Sequence, residues 1–254
     1  MTDTIRIIDT GLAPARWNVA MTAALVRLHS TGETPDTVRF HRYRACVLIG
    51  HGQRLSQTVD VAYCRRRGIE IARRVTGGGA VFMGPRMLAW DVVLGRASHA
   101  DNLQGLTRLI CEAVAVSLAR LGASARFEPP NSITIDGAKI SGSSGYLDGP
   151  SAVLQGTVLI EDDAAEMATA LGMSETRLRQ QVSCLAASLQ PAPPLADVQS
   201  GLSAGLVARL QRTPVPARPS DAELALADKL LSEEIGAEEY VAGAEADAAV
   251  EAAP

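Results

Sequence analysis

The chain has 254 residues, 47% hydrophobic and 20% charged, enough apolar content to bury the core of one large or two small domains and too much for a disordered chain. Charges interrupt every apolar stretch, so no run reaches the ~18 residues of a membrane span. The start Met1-Thr2-Asp3-Thr4-Ile5-Arg6 lacks a basic region followed by an apolar block, so a cytoplasmic address is expected and no membrane partner.

A strand is expected over residues 5–9 and an amphipathic helix over 17–28. Residues 38–43 alternate and 45–49 form a continuous apolar run, read as two paired strands closed by Gly50-His51-Gly52. A helix over 59–67 stops at Gly68, and Arg65-Arg66-Arg67 in its last turn suits a solvated, dipole-favoured helix end. Strands over 69–75, 80–83 and 88–94 read as a meander with glycine-bearing turns, and the longest helix, 103–121, should pack across the sheet. Further strands are expected over 133–135, 138–141 and 153–160, with Asp136-Gly137 as a hairpin turn and a Gly/Ser-rich loop after residue 141. Helices follow over 164–171 and 198–210, then a break at Pro214, Pro216 and Pro219, and a helix capped by Ser220 and Glu223. Strands and helices fall in blocks, which predicts an α+β fold with a mainly antiparallel or mixed sheet flanked by helices.

The net charge of −4 conceals a division. From residue 221 onward ten acids face the single base Lys229, whereas the preceding 220 residues carry 23 bases and 18 acids. A mildly basic body with 4% aromatics suits an anionic small molecule or an acidic protein and argues against nucleic acid. Of the 24 basic residues 22 are Arg, which leaves Lys139 and Lys229 as the places where a compact ammonium has been kept. Cys46, Cys64, Cys111 and Cys184 show no metal-ligand spacing. Cys46 and Cys111 read as small core residues, and a nucleophilic role for Cys184 has no neighbouring base to support it.

Two segments carry candidate chemistry. In Arg73-Arg74-Val75-Thr76-Gly77-Gly78-Gly79-Ala80-Val81-Phe82, three glycines let the backbone approach an anion while two arginines can pair with phosphate or carboxylate. A flexible hairpin loop is the bland alternative. In Asn131-Ser132-Ile133-Thr134-Ile135-Asp136-Gly137-Ala138-Lys139-Ile140-Ser141-Gly142, a strand lysine can point into a cleft and stabilise charge on an activated acyl phosphate. A surface hairpin lysine is the alternative there.

Together these segments resemble the catalytic domain of the lipoate-protein ligase family, related to biotin ligases and octanoyltransferases. Trp17-Asn18-Val19-Ala20, Val47-Leu48-Ile49-Gly50-His51-Gly52-Gln53 and Gln155-Gly156-Thr157-Val158-Leu159-Ile160 are similar to further family segments, so the likeness spans most of residues 5–190. The resemblance implies a class II biotin/lipoate ligase-like catalytic domain over 1–190; the residue pattern adds a helical extension of the same domain over 191–240 and, from its Ala, Glu and Asp content, a disordered acidic tail over 241–254, whose removal should leave adenylation intact.

It also implies activation of lipoate by ATP, with Mg2+, to lipoyl-AMP, and transfer to a lysine of a lipoyl-domain or glycine-cleavage-H-like acceptor. Lys139 would be catalytic. Arg74, Gly78, Gly79, Ala80, Val81, Phe82 and Lys139 would hold ATP, and Arg73, Gly77, Asn131, Ser141, Gln155, Gly156 and Thr157 the substrate. Magnesium would ride on the phosphates, with no protein metal ligands.

The chain departs from the family pattern at Met83-Gly84-Pro85-Arg86, Asn131-Ser132 and Gln155. The acid missing at Ser132 bears on metal positioning and the histidine missing at Met83 on substrate placement, with Arg86 as a compensating phosphate donor. The separate C-terminal accessory domain of many full-length ligases is not seen in the sequence, so adenylate transfer is expected to need either a partner polypeptide or a different closure. An octanoyl or lipoyl acyltransferase is the enzymatic alternative, although Arg126-Phe127-Glu128-Pro129 lacks the cysteine typical ahead of the lysine strand. A non-catalytic lipoyl- or adenylate-binding member and a biotin ligase follow.

Overall fold

Alternation along the central strands decides the architecture. The computed structural model describes residues 3–96, 102–243 and 245. In β6 (Met87–Gly95), Leu88, Trp90, Val92 and Leu94 share one face with Val38 and Phe40 of β2 (Thr37–Tyr43). They bury against Leu106, Ile110, Val114 and Leu118 of α3 (Leu103–Arg120) and Val198, Leu202 and Leu206 of α7 (Leu195–Leu210). The intervening Met87, Ala89 and Val93 point the other way, into a second core with Val19, Ala23 and Val26 of α1 (Ala15–Ser30). Covered on both faces, β6 reads as an unbroken apolar run with one exception, Asp91.

The chain runs β1 (Thr4–Ala13), α1, β2, β3 (Cys46–Ile49), α2 (Val61–Arg67), β4 (Glu70–Arg73), β5 (Val81–Met83) and β6, then α3. It continues through β7 (Arg126–Glu128), β8 (Ser132–Ile135), β9 (Ala138–Asp148) and β10 (Ser151–Leu159). Helices α4 (Ala164–Ala170), α5 (Glu175–Gln181), α6 (Leu185–Ser188) and α7 precede β11 (Thr213–Ala217), α8 (Asp221–Leu230) and α9 (Glu238–Ala242). The large sheet has the order β11-β1-β2-β6-β10-β9-β8-β7, parallel at β11, β1 and β2 and antiparallel beyond. The small sheet, β4-β3-β5, is mixed. The expected α+β fold with a mixed sheet flanked by helices is what forms. Among the described residues no helix is long and apolar enough to cross a membrane.

Four local expectations give way. Strands β2 and β3 do not pair, because a two-residue hairpin needs positive φ and neither Arg44 nor Ala45 adopts it; the chain passes from one sheet to the other. Asp136 and Gly137, with φ of 50° and 81°, do make the hairpin between β8 and β9. The expected meander is split: β4 and β5 flank β3, and β6 enters the large sheet beside β2 and β10. The prolines expected to break the chain lie in edge strand β11, where Pro214 and Pro216 align with Ile5 and Ile7 and the missing N–H groups cost no ladder bond. The Gly/Ser-rich stretch after Ser141 is not a loop: it continues β9 to Asp148.

The ends of α1 and α8 show how the pieces lock. No side chain of its own caps α1, and Glu70 of β4 accepts from the Ala15 and Arg16 amides at 2.6 and 3.1 Å, an anion at the helix N-terminus. The Ser220–Glu223 capping box forms as expected, and Glu223, fully buried, also meets Arg6 and Thr34. At the C-terminus Val241 lies in α9 and is 2% exposed, so the boundary expected at residue 241 falls inside packed structure. Residues 244 and 246–254 of the expected tail lie outside the described residues.

Candidate active site

A β-bulge aims the lysine. Gln155 of β10 pairs with Ser144 of β9, and both face the α1 side of the large sheet. Lys139 is five residues before Ser144, so strict alternation would send it to the opposite face. On β8, however, adjacent residues Ile133 and Thr134 pair with Ser141 and Lys139, two residues apart on β9. The extra residue returns Lys139 to the cleft face. Gly142 completes the placement: a Cβ there would stand 2.8 Å from Lys139 Cε and 3.0 Å from Nζ, so the strand has to lack a side chain for the lysine to cross it.

Lys139 Nζ has neither a hydrogen bond nor an ion pair among the described residues. Burial holds its ammonium below the ordinary lysine value, with the Cys111 side chain opposing the shift and Arg74 adding to it. Lys229, by contrast, is an exposed helix residue 3.9 Å from Glu233.

Opposite Lys139 lies the glycine loop. Gly50 lets it dock, since a Cβ on Gly50 would meet the Gly78 carbonyl oxygen at 2.0 Å. The Thr76 hydroxyl donates to Gln155 Oε1 at 3.0 Å and accepts from Ser144 at 2.8 Å, tying the loop to β9 and β10. The two arginines do not act as the sequence suggests. Arg74 donates to the carbonyls of Leu48, Gly77 and Gly79, shaping the loop while one edge lines the cleft. Burial pulls its guanidinium down to about 10. Arg73 is spent elsewhere: every guanidinium nitrogen is bound to backbone carbonyls, those of Gly50, His51 and Gln53 on one side and Tyr240, Val241 and Ala242 on the other. It is a clasp between the turn under the loop and α9, away from the cleft.

The cleft is lined by Arg74, Gly78, Gly79, Ala80, Val81, Asn131, Lys139, Gln155, Gly156 and Thr157 among the residues singled out from the sequence. Arg73, Gly77, Phe82 and Ser141 do not line it. Phe82 is 2% exposed and packs in the core, and Ser141 is 1% exposed. Met83 also packs in the core, and Arg86 is held by Glu161 at 2.9 Å and Asp163 at 3.3 Å, not free for phosphate. Asn131 braces β9 by donating to the Ser143 carbonyl at 2.6 Å.

The sequence reading missed the inner wall: His41, Tyr43 and Asp91. Asp91 Oδ1 accepts from Gln155 at 2.9 Å, and Oδ2 from Thr22 at 2.9 Å and Arg39 at 3.1 Å. Arg39 is itself fully buried and bonded to Thr10 and Asn18. The available signal was the single acid in an otherwise apolar β6. A fully buried carboxylate there demanded a partner.

None of the four cysteines lines this cleft, and burial raises every thiol, Cys111 to about 11. The arrangement therefore offers an ammonium facing a glycine loop across a partly enclosed cleft, on an α+β scaffold.

The family model described as the lipoyl protein ligase A/B catalytic domain matches residues 14–206, and the chain belongs to that family. It is 26% identical to octanoyltransferase LipM of Brevibacillus brevis over 92% of this chain and 96% of that one. A solved structure of an archaeal bi-partite lipoate protein ligase system with its E2 lipoyl domain, from Thermoplasma acidophilum, superposes with a TM-score of 0.86 at 25% identity, covering 96% of this chain and 97% of that one. A Thermoplasma acidophilum protein solved with bound lipoic acid gives 0.83 at 25% identity over 96% of this chain and all of that one.

Proposed function

We propose that the chain is an ATP-dependent lipoate-protein ligase. A carboxylate oxygen of lipoate attacks the α-phosphorus of ATP, the bond to the leaving pyrophosphate breaks, and lipoyl-AMP forms. The amine of an acceptor lysine then attacks the acyl carbon, AMP departs, and the amine gives up a proton as the amide forms. The acceptor is a lipoyl-domain or glycine-cleavage-H-like protein, and the similarity to a bi-partite ligase supports a separate accessory polypeptide.

The observation that carries this reading is the unpaired Lys139 ammonium facing the glycine loop in a cleft that no cysteine lines. A point charge with three donors can follow an oxygen as its charge grows in both steps. Gly78, Gly79, Ala80 and Val81 hold the phosphates with Lys139; Arg74 shapes the loop that does so. Asn131, Gln155, Gly156 and Thr157 line the acyl part. Magnesium would be carried by the triphosphate oxygens.

Pyrophosphate release with lipoate, magnesium and ATP tests this. Wild type is expected to release it in a lipoate-dependent manner and Lys139→Ala to lose that activity; equal release from both would remove Lys139 from the mechanism. The second reading, transfer of octanoyl or lipoyl from a carrier without ATP, is favoured by the end-to-end likeness to an octanoyltransferase. It needs a nucleophile in the cleft or direct transfer to the acceptor.

A further inference from the structure

Lys139 and the glycine loop stand on different sheets. The lysine belongs to β9 of the large sheet, whereas the loop joins β4 to β5 of the small one. A phosphate gripped by both is held well only if the two sheets keep a fixed separation. Several ties of the loop do not fix it. The Thr76 carbonyl accepts from the His51 amide at 2.9 Å, and Arg74 reaches the carbonyls of Leu48, Gly77 and Gly79, so these bonds stay within the small sheet, the turn after β3 and the loop itself. Among the described residues, the hydrogen bonds that cross from residues 74–80 to the large sheet all pass through the Thr76 hydroxyl, which donates to Gln155 of β10 at 3.0 Å and accepts from Ser144 of β9 at 2.8 Å.

Gln155 lines the cleft, yet both ends of its amide are engaged. Nε2 donates to Asp91 Oδ1 at 2.9 Å and to the Thr22 hydroxyl at 3.4 Å, and Oε1 accepts from Thr76. The Asp91 carboxylate, paired with the Arg39 guanidinium at 3.1 Å, offers only acceptors, so Gln155 cannot turn its own oxygen toward it. The amide therefore has one orientation, with Oε1 facing Thr76. Thr76 is 0% exposed and is the last buried residue before Gly77, Gly78 and Gly79. No water stands ready to replace its partners, and losing one leaves a buried polar group unsatisfied.

We propose that the Asp91–Gln155–Thr76 chain sets the separation between the Lys139 ammonium and the phosphate-binding loop, so that Gln155 and Thr76 are positioning residues for the nucleotide. Gln155 serves the nucleotide through Thr76 even though its side chain lines the acyl part of the cleft. This rests on the ATP-dependent reading above and names the residues that give its nucleotide site its shape. Were Gln155 only a contact for the acyl group, removing the Thr76 hydroxyl would leave ATP binding as it is. With the chain in place, cutting it at either residue frees the same loop, so the two cuts have the same effect and do not add.

The test is calorimetric titration of the full chain and its variants with ATP and magnesium, and separately with lipoate. Thr76→Val, which keeps the shape and loses the hydroxyl, and Gln155→Met are each expected to bind ATP about tenfold more weakly than wild type. The double variant should fall within about twofold of the weaker single one. Thr76→Ser, which restores the hydroxyl, should recover most of the affinity, and Thr76→Val should bind lipoate within about twofold of wild type. ATP affinity unchanged in Thr76→Val, no recovery in Thr76→Ser, losses that multiply in the double variant, or lipoate binding weakened as much as ATP binding in Thr76→Val would overturn the proposal while leaving the nucleotide reading in place. A wild-type chain that bound no ATP would overturn that reading and the proposal with it. Should Gln155→Met not fold, the comparison of Thr76→Val with Thr76→Ser decides; should Thr76→Val not fold, the ATP affinity of Gln155→Met decides, a value within about twofold of wild type counting against the chain.

Discussion

Gly142→Ala separates catalysis from stability with one methyl group. The added Cβ would lie 2.8 Å from Lys139 Cε and 3.0 Å from Nζ, against a relaxed separation of about 3.5–4.0 Å. The lysine therefore has to retreat by roughly 0.5–1 Å, which it can do because its side chain is flexible and Nζ is unpaired. The backbone has no reason to object: Gly142 lies within β9 and is not among the glycines with positive φ. Its replacement also lowers the entropy of the unfolded chain by an amount worth about 0.4–1 kcal/mol. Stability should stay near wild type, whereas a ~1 Å misplacement of a catalytic group costs on the order of 100-fold in rate, about 2.7 kcal/mol of barrier. Lipoate-dependent pyrophosphate release and thermal melting of Gly142→Ala, beside Gly52→Ala, whose Cβ meets nothing within 4 Å, measure both quantities. Activity of Gly142→Ala within about threefold of wild type, with an unchanged melting temperature, would refute the argument that the position of Lys139 depends on this glycine.

Two further outcomes follow from the clasp and the buried pair. Ending the chain after Tyr240 removes the Val241 and Ala242 carbonyls that Arg73 binds at 2.7–3.1 Å; an expected loss of about 1–3 kcal/mol, together with reduced activity, should be seen in denaturant melts and turnover, in contrast to a chain ending after Glu245, which keeps both carbonyls. Arg39→Met leaves Asp91 buried without its cation and should cost about 3–5 kcal/mol, read as a lower denaturation midpoint, with Arg39→Met/Asp91→Leu recovering part of the loss.

The sequence was most informative where local chemistry decides. The 103–121 helix, the Asp136-Gly137 turn and the Ser220 capping box each follow from residues a few positions apart, and each forms. Pairing was less legible, because nothing local in residues 38–49 says that β2 and β3 join different sheets; the answer lies in β6 and β5, more than 30 residues on. The site divides similarly. Lys139 and the glycine loop are visible as motifs, but the bulge that turns the lysine into the cleft is a register property of β8 and β9 together. Arg73 and Arg74 look alike in the sequence and part company in space, Arg73 toward α9 and Arg74 toward its own loop. The correction at Val241 has the same origin: an Ala/Glu-rich end reads as a tail until Arg73 is seen to hold its carbonyl.

The central claim is that the Lys139 cleft makes lipoyl-AMP and passes its acyl group to a protein lysine. Intact-mass spectrometry of a purified lipoyl acceptor domain, incubated with this chain and its accessory polypeptide if one is needed, tests it most directly. With lipoate, magnesium and ATP the acceptor should gain one lipoyl group, and should gain none when ATP is omitted or Lys139→Ala is used. An acceptor left unmodified by lipoate and ATP but octanoylated from an octanoyl carrier protein without ATP would contradict the ligase and establish the transferase.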